Sequence, residues 1–213
     1  MDELLQFGLR AFATLFVVVD PLGVAPMFVG LTGELDGAAR RRVLARAILV
    51  ALSVTMFFLL GGGFLLTYLG VTVHAFAISG GVLLFIAAVP MLFGQRPRLQ
   101  APERNEERAA GEDIAIFPLA IPLLSGPGTI TTVLLLTTQA RGDLSQLGLI
   151  AVVVGAVYAI SWAVLAAGDR IMARIGGGKV HIITRVLGIV LAALAVQYIL
   201  GGIAGFFAQL TGK

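Results

Sequence analysis

Uncharged apolar stretches of about 20 residues recur along this 213-residue chain, and each is long enough to cross the roughly 30 Å hydrocarbon core of a bilayer as a helix. Nothing else narrows the fold as far. In lipid every peptide group must find its hydrogen-bond partner within the protein, which leaves very few ways to cross. Only 13% of the residues are charged, against roughly 25% in an ordinary soluble domain, so a soluble globular fold is excluded.

The apolar runs predict six transmembrane helices in an all-α membrane protein. Helix 1 runs from about Leu4 to Thr32, helix 2 from Leu44 to Leu69 and helix 3 from Val73 to Phe93. Helix 4 covers about Ile114 to Thr138, helix 5 Leu147 to Gly168 and helix 6 Ile182 to Ala208. Only a few residues separate helices 2 and 3, which makes them antiparallel neighbours. The segment from Gly94 to Asp113, with four Arg and five acidic residues, reads as a polar cytoplasmic linker. One transmembrane domain over residues 1–213 is expected, with repeat one at about 1–93 and repeat two at about 114–213. Met1, Asp2 and Glu3 lack the basic region of a cleaved signal peptide, so the first span is expected to stay.

The net charge of +3 would suggest nucleic acid in a soluble protein, but here the basic residues sit in short loops, where they set orientation. Arg40, Arg41, Arg42, Arg46, Arg96, Arg98, Arg104, Arg108, Arg170, Arg174, Lys179 and Arg185 fall on one side of a six-helix arrangement. Arg10, Arg141 and Lys213 fall on the other. That asymmetry predicts that both termini lie outside the cytoplasm. No nucleic-acid partner is expected; lipid is, and a homo-oligomer is compatible with the sequence. The chain has no cysteine, which excludes disulfides, thiol catalysis and cysteine metal sites.

Two proline-bearing interruptions recur at matching places. Asp20-Pro21 and Gly126-Pro127 lie 106 residues apart, while His74 and Gly81 find His181 and Gly188 at an offset of 107. The order of broken helix, plain helix, plain helix is repeated. Three helices per repeat turn the second repeat upside down, the inverted plan of many secondary transporters. Asp20 followed by Pro21 is a capping residue followed by proline at the first helical position, and Gly126 with Pro127 makes a second such start. Both starts fall about 15 residues from one face, roughly 22 Å at 1.5 Å per residue, so helices 1 and 4 are expected to break near mid-membrane. Irregular backbone at that depth survives only against protein or a wet cavity. The two openings are therefore expected to face each other and present unpaired N–H groups to an anion.

Asp20 is the one acid that falls near the bilayer centre, where an acid suggests a substrate ammonium, a coupling proton or Na⁺. The plainer reading is that it caps the second half of helix 1, leaving the uncapped Gly126 start as the better anion site. Gly128 permits close backbone approach. Ser125, Thr129, Thr131 and Thr132 cluster at the second break; in membrane helices such hydroxyls commonly satisfy carbonyls freed by proline. His74 and His181 read as interfacial anchors, Arg10 as a side chain reaching the outer headgroups or lining an outer vestibule. The glycine clusters Gly61-Gly62-Gly63, Gly80-Gly81 and Gly201-Gly202 with Gly205 read as helix-packing surfaces, and Gly176-Gly177-Gly178 as a flexible loop.

The stretches VVDPLGVAPMFVGLT (Val18 to Thr32) and PLAIPLLSGPGTITTVLLL (Pro118 to Leu136) resemble the paired signatures of the MarC family. ISGGVLLFIAAVPML (Ile78 to Leu92) and TRVLGIVLAALAVQYILGGI (Thr184 to Ile203) extend the resemblance over essentially the whole chain. It implies a six-helix inner-membrane transporter of small neutral amino acids such as alanine and glycine. Carried over by position, the implied substrate-binding residues are Asp20, Pro21, Gly23 and Pro26, then Ser125, Gly126, Pro127, Gly128 and Thr129. No cofactor or metal is expected beyond a coupling ion, H⁺ or Na⁺. An enzyme is not expected, because neither two facing acids nor a His-Glu-x-x-His motif is present. A passive channel, or an exporter of another small solute, is the alternative.

Overall fold

The computed structural model describes residues 2–93, 114–140, 142–175 and 177–210; the side chains of residues 2, 172–181, 183 and 210 are outside that description. The linker from Gly94 to Asp113, Arg141 and the His181 side chain therefore lie outside the described residues. All elements among the described residues are helical: α1 (Asp2–Val19), α2 (Pro21–Leu31), α3 (Gly37–Tyr68), α4 (Val73–Leu92), α5 (Ala115–Leu124), α6 (Pro127–Gln139), α7 (Leu144–Ala166), α8 (Gly168–Ile175) and α9 (Gly177–Leu210). Five spans are long and apolar enough to cross a membrane, and α5 with α6 makes a sixth if the bent pair is one span.

Two boundaries differ from expectation. The second span starts at Gly37, well before Leu44, because Asp36 accepts the Ala38 and Ala39 N–H groups at 2.9 and 2.7 Å and starts the helix there. Arg40, Arg41 and Arg42 thus stand on the first turns of α3 rather than in a loop. The last span starts at Gly177, so Gly177 and Gly178 belong to a helix and not to a flexible loop. Length explains it: continuing a helix adds a hydrogen bond for each residue fixed, and a 34-residue helix absorbs two glycines at its end.

The main core joins α1, α2, α3, α5, α6 and α7 through side chains such as Leu15, Phe28, Leu119, Val133, Ile150 and Tyr158, all nearly inaccessible. A smaller core sets Val18 of α1 against Leu84 and Ala88 of α4 and Leu191 and Ala195 of α9. The outer surface is apolar, with Leu60, Phe64, Leu144 and Val152 largely exposed, as suits a chain whose solvent is hydrocarbon.

α4 and α9 pack backbone to backbone along their length. A side chain at Gly202 would meet the His74 carbonyl and Ile78; one at Gly81 would meet the Ala195 carbonyl and Ile199; one at Gly188 would meet Met91 and Leu92. As the position climbs on α4 it falls on α9, so the pair is antiparallel. Small residues allow this approach, which in lipid is what holds helices together. Gly62, packed on Leu134, and Gly80, packed on Thr131, belong to the same kind of surface, whereas Gly61, Gly63 and Gly201 face open space.

At one end of the molecule Arg40 pairs with Asp169 and lies over the Phe28 ring at 5.1 Å, tying α2, α3 and α8 together. At the other, the His74 ring lies against Gly205. Arg10 stands at that same end.

Candidate functional site

The two interruptions are unlike. At the first, Asp20 adopts φ 47°, ψ 60°, a left-handed conformation that costs an L-residue roughly 1–2 kcal/mol and that Asp tolerates better than most. Ordinary capping residues are extended. The break is one residue wide: the Asp20 N–H donates to the Phe16 carbonyl and the Val24 N–H to the Asp20 carbonyl, both at 3.0 Å. The flanking helices together read as one 29-residue span, Glu3–Leu31. α2 runs through Pro26 without stopping.

The second interruption is wider. Phe117 and Ile121 have extended backbone inside α5, Ser125 and Gly126 leave the helix altogether, and α6 departs at 49° to α5. Three prolines, Pro118, Pro122 and Pro127, explain where hydrogen bonds are missing, since proline brings no N–H.

Hydroxyls fill those gaps. Ser125 donates from both its N–H and its Oγ to the Ala120 carbonyl at 2.9 Å. Thr129 Oγ1 and the Tyr158 hydroxyl both donate to the Leu124 carbonyl at 3.1 Å, which occupies its two lone pairs. With its proton so used, Tyr158 accepts the Thr55 hydroxyl at 2.7 Å. Thr132 donates to the Gly128 carbonyl at 2.8 Å and so accepts from Tyr198 at 2.7 Å. Thr131 Oγ1 is buried without a partner against Gly80.

Asp20 is 8% exposed. Its Oδ1 accepts the Gly23 N–H at 3.0 Å, the capping bond expected of it, and Gly23 must be glycine-sized because a Cβ there would strike the carboxylate. Among the described residues no cation pairs with Asp20. The α6 start has no side-chain cap: Gly126 is extended, with φ −75° and ψ 177°, and Gly128 and Thr129 are buried. Their first-turn amides are therefore the uncapped pair.

α1 and α6 meet at this point. A Cβ on Gly128 would lie 3.2 Å from Val18, two residues before Asp20, and 2.5 Å from Leu84 of α4. The structure thus brings Gly128 beside the end of α1, with Asp20 and Pro21 buried just beyond. It does not join the Asp20 carboxylate to Ser125, Gly126, Pro127, Gly128 or Thr129 by any hydrogen bond. Gly23 and Pro26 lie on α2, packed toward α5 and α7.

Sequence reasoning missed the polar groups that α3, α7 and α9 bring in, namely Thr55, Tyr158 and Tyr198. The available signal was a hydroxyl inside each otherwise apolar span. A cavity of about 370 Å³ lies between α1, α6 and α9, with Arg10, Thr14, Thr132, Gln139 and Tyr198 as its polar lining. Arg10, read from the sequence as a headgroup anchor or a vestibule lining, stands on the wall of this cavity.

These elements define a polytopic α-helical membrane protein with irregular, hydroxyl-rich backbone buried among its spans. Residues 5–207 match the MarC family of integral membrane proteins, and the chain belongs to that family. It is 36% identical over 200 residues to a UPF0056 membrane protein of Archaeoglobus fulgidus, covering 94% of this chain and 93% of that one. It is 35% identical over 207 residues to a UPF0056 membrane protein of Pyrococcus abyssi, covering 97% and 99%. With the UPF0056 inner membrane protein YhgN of Escherichia coli it shares 30% identity over 203 residues, 95% and 97% of the two chains. No solved structure matches the chain.

Proposed function

We propose that this protein is a secondary transporter of small neutral amino acids, of the alanine and glycine type, working by alternating access with the solute held between the two helix openings. The observation that carries the reading is the buried, uncapped start of α6 lying against the end of α1, two residues from the equally buried Asp20. The Gly128 and Thr129 amides and the positive end of the α6 dipole suit a carboxylate. Asp20, with Oδ1 committed to Gly23, has Oδ2 left for an ammonium or for a coupling H⁺ or Na⁺. Ser125 and Thr129 spend their protons on carbonyls and contribute acceptor atoms only.

An inverted repeat would suit alternating access: at the offset of 107, α3 corresponds to α7 and α4 to α9, each of these pairs packs together, and α4 and α9 run antiparallel as inversion requires. The chain is one transmembrane domain in this reading, oriented in a bacterial inner membrane with both termini outside the cytoplasm.

The test is an uptake panel of amino acids in proteoliposomes, with and without Na⁺ and pH gradients, comparing wild type with Asp20→Asn. Saturable exchange of labelled alanine, lost in the variant while the protein still inserts, is expected. Unsaturated, ohmic flux would favour a passive channel, and unchanged kinetics in Asp20→Asn would reduce that carboxylate to a cap. A panel in which no amino acid moves would overturn the substrate class.

A further inference from the structure

The cavity between α1, α6 and α9 is lined by one cation, Arg10, and among the described residues nothing balances it. Arg10 stands eight residues into α1, about 12 Å along the helix from Asp2, where an arginine with no role is a cost to the span. Among the described residues it makes no ion pair, and no acidic side chain lines the cavity. Thr14 follows one turn deeper on the same face of α1. Gln139 sits on the α6 rim, and Thr132, seven residues and about 10 Å further in, lies at the inner end. There the Thr132–Tyr198 hydrogen bond closes the floor, and Thr132 is itself bonded to the Gly128 carbonyl. The cavity therefore stops one helical turn short of the α6 start. Phe7 and Leu194 supply apolar wall.

We infer that this cavity is a second binding site, an outer vestibule that takes small carboxylate-bearing solutes on Arg10. A guanidinium presents a planar fork of donors that matches a carboxylate. A cleft with low-dielectric walls and one sign of charge concentrates the opposite ion. Thr14 and Gln139 offer hydrogen bonds to the rest of the solute. About 370 Å³ lies at the lower end of the range for small-molecule sites, roughly 300–1,000 Å³, which admits a molecule of a few heavy atoms with its water. The site is distinct from the position between the helix openings and stands or falls separately from the transport reading.

The absence of cysteine from the native chain makes a clean probe available. Thr14→Cys is reacted with an anionic and a cationic methanethiosulfonate of similar size, in reconstituted protein without any gradient, and rates are normalised to free cysteine. The anionic reagent is expected to be favoured about 10-fold or more, within the range of electrostatic focusing. Arg10→Gln should bring the ratio near unity and Arg10→Lys should keep most of it. Propionate should slow labelling at millimolar concentration while ethylamine does not. No labelling by either reagent, equal normalised rates in the parent protein, or indifference to propionate would each overturn the inference. Repeating the measurement in Asp20→Asn separates the two proposals: protection by propionate should persist there, and a wild-type protein that is protected yet moves no amino acid would defeat the transport reading alone.

Discussion

Gly201 and Gly202 are neighbours on α9, alike in sequence context and opposite in surroundings, and they give the packing argument a sharp test. A methyl at Gly202 would lie 2.7 Å from the His74 carbonyl oxygen and from Ile78 Cγ1, and 3.3 Å from the Ile78 amide nitrogen. Carbon and carbonyl oxygen ordinarily approach to about 3.3–3.6 Å, so α4 and α9 must part by roughly 0.6 Å locally. A gap of 0.5–1 Å already forfeits about a quarter to a half of the dispersion well for every atom pair across it. Overpacking of this kind costs about 1–3 kcal/mol. Against it stands about 0.8–1 kcal/mol from replacing glycine by alanine within a helix. Gly202→Ala should therefore destabilise by up to about 2 kcal/mol net. At Gly201 nothing lies within 4 Å, so Gly201→Ala keeps only the helix gain and should be neutral or slightly stabilising. Thermal unfolding of the detergent-solubilised protein is the assay. At about 2–4 °C per kcal/mol for a chain near this length, the two variants should separate by on the order of 4–8 °C. Equal melting temperatures for the two, or a larger loss at Gly201, would refute the register of the α4–α9 contact.

Two further outcomes follow from the buried hydroxyls and the helix caps. Tyr158→Phe should destabilise by about 1 kcal/mol, near the middle of intramembrane hydrogen-bond values, and adding Thr55→Val should then cost clearly less than it does alone; additive losses would mean the pair is not coupled. The Ala39 and then the Ala38 N–H hold the Asp36 carboxyl below its ordinary value of 3.8, so the cap is fully present above that value and is lost as pH falls through the lower, folded one. Amide exchange at Ala38 and Ala39, corrected for intrinsic rate, should accelerate in that acid range, and Asp36→Asn should abolish the pH dependence.

Spans were legible because a length of uncharged sequence is a direct physical measure of lipid thickness. Starts were less so. α3 begins at Asp36 rather than at the edge of the apolar run, since a cap and not hydropathy decides where a helix can begin. The backbone leaves helical conformation at Asp20 and at Ser125 and Gly126, beside Pro21 and Pro127, but the widths of these interruptions do not follow from the prolines. Asp20 closes its own break through Gly23 and leaves α1 and α2 as one span, while Gly126 has no side chain to do so and Phe117 and Ile121 widen the second. Polar partners from other spans were not legible at all: Tyr158, Thr55 and Tyr198 each look like a stray hydroxyl until the fold sets them against Leu124 and Thr132. Arg10 needed α6 and α9 in place before its surroundings could be read.

The irregular α5 has a consequence for how the molecule is made. Its Leu124 carbonyl depends on Thr129 and on Tyr158 of α7, both synthesised later, while its inner face lies on α3, synthesised earlier. A ribosome delivering α5 into lipid before α3 is seated would strand naked peptide groups in oil, so the nascent second half must dwell against the first until α7 emerges. Biogenesis therefore has a direction: the leading half can serve as the template for the trailing one, and not the reverse.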